Sequence, residues 1–93
     1  MDNEYVELTH WNIMTAYNYE SSVAVKLKMV NVVQRTSHTA YKFSFYEEIK
    51  DTYIKLYILY LHDGRKYYID YKSFRKLLKA AREQNIEIKV LDE

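Results

Sequence analysis

The chain has 93 residues, 48% of them hydrophobic and 29% charged, which suits one domain with one core and excludes a disordered chain. With no cysteine there is no disulfide and no thiolate metal site, and no apolar run approaches the roughly 20 residues of a membrane span. The net charge of +1 conceals three blocks: −4 over residues 1–25, +8 over residues 26–82 and −3 over residues 83–93. A basic body between acidic ends points to an anionic partner, with a merely solvating set of Lys and Arg as the ordinary alternative. The acidic start MDNEYVEL is unlike a signal peptide, so the expected compartment is the cytoplasm, or a host cell's if the chain is viral. Eleven Tyr, one Gly and no Pro fit an AT-rich source such as a phage or mobile element.

Taken in order, Tyr5–Leu8 reads as a short strand. Thr9 then caps a helical turn through Trp11, Ile13, Met14, Ala16 and Tyr17, although Ile13, Thr15, Tyr17 and Tyr19 also alternate. Residues 18–22 read as a loop. Val23 to Val33 alternates as one long strand with Val23, Val25, Leu27, Met29 and Val33 on one face and Lys26 and Lys28 on the other. Asn31, Val30 and Val32 break that pattern, so a bulge or an end is expected there. Residues 34–39 read as a polar connection. Ala40–Tyr46 reads as a strand with Tyr41, Phe43 and Phe45 inward and Lys42, Ser44 and Tyr46 outward, and residues 47–52 connect it to a hairpin.

Residues 53–71, YIKLYILYLHDGRKYYIDY, carry the clearest signal. Asp63-Gly64 suits a two-residue type I′ turn with both residues at positive φ. His62 then faces Arg65, pairing Tyr60 with Tyr67 and Ile58 with Ile69. That register assigns Ile54, Leu56, Ile58, Tyr60, Tyr67, Ile69 and Tyr71 to a core face. It leaves Tyr53, Lys55, Tyr57, Leu59, Leu61, Lys66, Tyr68 and Asp70 outward.

The period then changes to helical. Phe74, Leu77, Leu78 and Ala81 share one face, Ser73 or Asp70 caps the start, and Asn85 stops the helix in the left-handed region. Arg75, Lys76, Lys79 and Arg82 line the opposite face. Ile86, Ile88 and Val90 alternate as a short final strand. The expected fold is α+β: one domain over residues 1–93, with an antiparallel meander of about four strands, one amphipathic C-terminal helix on one face and a short last strand.

Summing the outward faces gathers Lys26, Lys28, Lys42, Tyr46, Tyr53, Lys55, Tyr57, Lys66 and Tyr68 on the sheet side away from the helix. Rings among ammonium groups are what single-strand nucleic-acid binding uses: bases stack on the rings and Lys neutralises phosphates. The ordinary alternative is an exposed sheet face with Tyr for β propensity and Lys to block edge pairing, or a face covered by the N-terminal segment or a second subunit.

The run DGRKYYIDYKSFRKLL, within residues 53–84, resembles PC4/Whirly-type single-stranded DNA-binding domains: a basic turn, a strand, then a Ser-started helix with an early aromatic. Tyr68, Ile69, Ser73, Phe74, Leu77 and Leu78 are the matching positions. The trailing strand over residues 86–91 and the N-terminal helix depart from that pattern. The resemblance implies a single-strand-binding sheet.

The helix row Arg75, Lys76, Lys79 and Arg82 could grip phosphates or an acidic protein, a solvated helix face being the ordinary alternative. A Tyr-rich antagonist or adaptor that blocks a host nucleic-acid machine is the rival function. Enzyme motifs are thin: His10, His38 and His62 stand apart, Gly64 is the one glycine, and a metal-independent nuclease on His38 and Lys42 needs few residues. No cofactor or metal, no membrane partner, and a homodimer through an edge strand complete the expectation.

Overall fold

The computed structural model describes residues 4–13, 19–42 and 52–92. In chain order these form β1 (Tyr5–Asn12), β2 (Tyr19–Lys26), a 3-10 turn (Leu27–Met29), β3 (Val30–Lys42), β4 (Thr52–Leu61), β5 (Lys66–Asp70), α1 (Tyr71–Glu83) and β6 (Lys89–Leu91). The class is α+β, as expected, but the sheet has six strands in the order β2-β1-β5-β4-β3-β6 and is no simple meander. Every pairing is antiparallel except β3 with β6.

The N-terminal region departs most from expectation. Residues 5–12 continue as a strand where a helical turn was predicted, and residues 19–22 are strand where a loop was predicted; Tyr46 and residues 14–18 lie outside the described residues. Val6 and Leu8 enter the core beneath α1 while Trp11 is buried on the opposite side of the sheet. Burial on both sides erases strict alternation, and the apolar residues that remain mimic a helical spacing.

The predicted long strand over Val23–Val33 divides at the 3-10 turn, where Leu27 is fully buried. The polar residues 34–39 belong to β3, which carries a register shift against β4 between Arg35 and Thr39. Of the strand predicted over residues 40–46, Ala40–Lys42 is the end of β3 and the rest lies outside the described residues.

The β4–β5 hairpin forms, one residue out of the predicted register: Leu59 pairs with Tyr67, Ile58 with Tyr68 and Tyr57 with Ile69. The cause is the turn. Among the described residues only Asn85 (φ 56) and Gly64 (φ 92) have positive φ, so Asp63 does not adopt the type I′ conformation. The loop is three residues, His62–Gly64, closed by the Leu61 N–H donating to the Arg65 carbonyl (2.9 Å) and the Gly64 N–H donating to the Leu61 carbonyl (3.1 Å). Asp63 instead accepts from the Arg65 N–H (3.0 Å) and Nε (2.7 Å), bonds that hold its carboxyl below the usual range, the backbone one foremost.

A one-residue slip turns every side chain of one strand over. Tyr57, Leu59 and Leu61 therefore lie under α1, and Ile54, Leu56, Ile58 and Tyr60 point away, the reverse of the prediction for β4. On β5 the prediction holds: Tyr67 and Ile69 face α1, Lys66 and Tyr68 face away.

α1 follows its pattern. Phe74, Leu77 and Ala81 are buried and Leu78 is half-buried. The Asp70 carboxylate caps the helix by accepting from the Ser73 N–H (2.8 Å), and its other oxygen accepts from Trp11 Nε1 (3.3 Å). Asp70 thus ties the helix start to β1. Asp70→Ala removes the cap and orphans a buried indole N–H, so urea melts should show a loss of about 1–3 kcal/mol, whereas Asp70→Asn should recover the cap alone, because its amide nitrogen cannot accept from the indole. Beyond the Asn85 stop, Ile86, Ile88 and Val90 pack on the same core, and β6 docks parallel to β3.

Candidate functional site

The summed Tyr/Lys face does not assemble. Tyr57 is 7% exposed, its ring stacked on Phe74 at 4.5 Å and 7°. Lys55, one residue out of phase with the Ile54/Leu56 side, is exposed on the side that bears α1. Lys28 sits in the 3-10 turn. Tyr53 and Lys42 occupy paired strand positions, opposite Tyr41 and Thr52, and their side chains lie outside the described residues. Lys26 is on the face away from α1, at the outer strand, 3.9 Å from Glu4.

Lys66 and Tyr68 remain together there. The Lys66 Nζ lies 5.9 Å from the Tyr68 ring centroid and His38 meets the same ring edge-on at 6.2 Å. Tyr68 itself is half-buried against Trp11, Leu56 and Ala40, and the Tyr60 hydroxyl donates to Gln34 Oε1 at 3.4 Å. This is the edge of a second apolar cluster with one cation above it, too small a platform for several stacked bases. Arg65, in the basic turn, is already paired with Asp63 at 2.7 Å.

The other surface is the outer face of α1. Lys72, Arg75, Lys76, Lys79 and Arg82 are all exposed there, and at 100° per residue they fall within an arc of roughly 120° along about 15 Å of helix. Among the described residues no carboxylate forms an ion pair with any of the five. Tyr71, predicted in the core, is 52% exposed beside this row; its hydroxyl accepts from Arg75 Nη1 at 3.1 Å and the guanidinium lies 5.8 Å from its ring centroid. Lys72 and Tyr71 are the residues that sequence reasoning missed. Lys72 was legible, standing three and four residues before Arg75 and Lys76; Tyr71 was not, because strand alternation carried past Asp70 puts it inward, whereas β5 ends at Asp70 and Tyr71 opens α1.

This charge arrangement works against the helix. Lys72–Lys76 and Arg75–Lys79 repel at i,i+4, and Lys72–Arg75, Lys76–Lys79 and Lys79–Arg82 at i,i+3, at about 0.2–0.5 kcal/mol each at low salt. Asp70 at the N-cap and Arg82 in the last turn suit the helix dipole, so the cost lies in these repulsions alone. Stability does not account for the row, and a bound polyanion would relieve it.

His10 lies on the α1 side of the sheet, edge-on to Tyr67 at 5.2 Å, and burial lowers its pKa below 6.5. Because the folded-state value is the lower one, His10 contributes stability that is present above the unfolded value and lost as pH falls through the folded one. Urea melts near pH 7.5 and near pH 5 should show an acid-side loss that His10→Gln reduces. Among the described residues no cluster of three or more His, Asp or Glu is placed to hold a metal, and no helix is long and apolar enough to cross a membrane.

In comparisons with known proteins, no family model, curated protein or solved structure matches the chain.

Proposed function

We propose that the chain is a non-enzymatic nucleic-acid-binding module that grips the phosphate backbone with the outer face of α1. The observation that carries this is the row Lys72, Arg75, Lys76, Lys79 and Arg82, exposed, without carboxylate partners among the described residues, and held at a cost to the helix. Its length of about 15 Å spans roughly four phosphates of one strand, close to the number of cations. Tyr71 beside Arg75 offers one ring for a base, so affinity comes from phosphates and sequence preference is weak.

The rival antagonist rests on a Tyr-rich surface. Of the tyrosines whose side chains are described, only Tyr5 (55%) and Tyr71 are well exposed, which leaves that reading less to stand on. An acidic protein could still take the same helix row, and a specific protein captured from nuclease-treated extract would favour it.

Fluorescence anisotropy with labelled single- and double-stranded oligonucleotides across a salt series is the test. Five phosphate contacts give a slope of log K on log salt of about −3.5 for a single strand and about −4.5 for a duplex. Absence of binding at low salt, or binding indifferent to salt, sinks the proposal.

A further inference from the structure

We propose that β2 is a dimerisation edge, pairing antiparallel with β2 of a second copy about a two-fold axis through Val23. Among the described residues β2 is an outermost strand of the sheet, its eight residues pair with β1 in unbroken register, and it holds no proline. The opposite edge is blunted: β6 has three residues, covers β3 only at Val32–Gln34, and β3 is irregular between Arg35 and Thr39.

The phase of the ladder fixes which groups are offered. The Leu27 N–H donates to the Glu4 carbonyl at 2.7 Å, in line with the β1–β2 register, so the odd residues of β2 exchange hydrogen bonds with β1. Glu20, Ser22, Ala24 and Lys26 therefore turn their N–H and C=O groups to the free edge. A second β2 must bond through those same even residues. A two-fold at Ser22 would set Lys26 beyond the partner's strand start, and one at Ala24 would set Lys26 against Ser22. A two-fold at Val23 pairs Glu20 with Lys26 of the second copy, Ser22 with Ala24, and the reverse, using the strand from end to end.

In that register the only charges on the strand meet as opposites, twice. They lie on the face away from α1, Glu20 without an ion pair among the described residues and Lys26 with only the 3.9 Å contact to Glu4. On the other face the half-buried Val23 covers its own copy. The axis stands perpendicular to the sheet, so both α1 helices fall on one side. The inference rests on β2 alone and stands whether or not α1 binds nucleic acid.

Sedimentation equilibrium of the whole chain should give twice 11.3 kDa. Glu20→Lys and Lys26→Glu should each be monomeric, since each sets like charges opposite each other. An equimolar mixture of the two should recover the dimer mass, which only folded chains with this pairing can do. Ala24→Pro removes an outward N–H and should be monomeric with an unchanged circular dichroism spectrum. A monomeric parent at every concentration, or a dimer that survives all three substitutions, overturns the proposal.

Discussion

Tyr57→Ala should lose about 3 kcal/mol or more of folding stability, the usual result of truncating a buried aromatic. For a domain of this size that lowers the melting temperature by roughly 12–24 °C. The cause is specific: the ring lies flat on Phe74 at 4.5 Å and is wedged between the sheet and α1, so its removal opens a cavity beneath the helix. Tyr57→Phe keeps the stack and should stay within about 1 kcal/mol. Tyr68→Ala, on the other side and half-buried, should be milder. Thermal melts of the three variants decide the register of β4. A Tyr57→Ala protein that melts with the parent would return this ring to the surface.

Arg75→Ala/Lys79→Ala should weaken oligonucleotide binding and raise stability together. Two lost phosphate contacts flatten the salt slope by about 1.4 for a single strand and about 1.8 for a duplex. The same pair of changes removes the repulsions Lys72–Arg75, Arg75–Lys79, Lys76–Lys79 and Lys79–Arg82, worth about 1–2 kcal/mol in sum at low salt, while Ala suits a helix at least as well as Lys or Arg. Loss of the Arg75 bond to the Tyr71 hydroxyl offsets a little of this, being exposed. The opposed signs matter, because a row kept only for solubility would show the gain in stability without the loss of binding. Anisotropy titrations and urea melts on the same preparations read both.

How much of this was legible depended on whether an element has two unlike faces. α1 has them: Phe74, Leu77 and Ala81 inside, five cations outside, with Asp70 and Asn85 marking the ends, and its description from sequence needed only Lys72 added. β4 does not. Its run Tyr57-Ile58-Leu59-Tyr60-Leu61 is apolar throughout, and Leu56 and Leu59 are both fully buried on opposite sides, so alternation could not say which side faces the helix. The decision passed to the turn, and Asp-Gly serves a three-residue loop as readily as a two-residue one. The error spread to Tyr57 and Lys55 and through them to the supposed binding face. β1 failed for the same reason, with Leu8 and Trp11 buried on opposite sides. The pairing of β6 with β3 and of β1 with β5 joins distant residues, and no local pattern encodes it.

The β1–β5 junction bears on the order of folding. It consists of one bridging pair, His10 with Ile69, reinforced by the Thr9 N–H donating to Ser73 Oγ (2.9 Å) and by Trp11 on Asp70. Its partners lie 59 to 64 residues apart in sequence, whereas β1 with β2 and β4 with β5 close locally. Such a seam requires a large loop to close before it gains any contact, which places it late on the pathway. Ser73→Ala should therefore act mainly on the unfolding limb of a chevron plot and leave the refolding limb nearly in place. The N-terminal hairpin would then be the part of the sheet that parts from the rest first, as a unit.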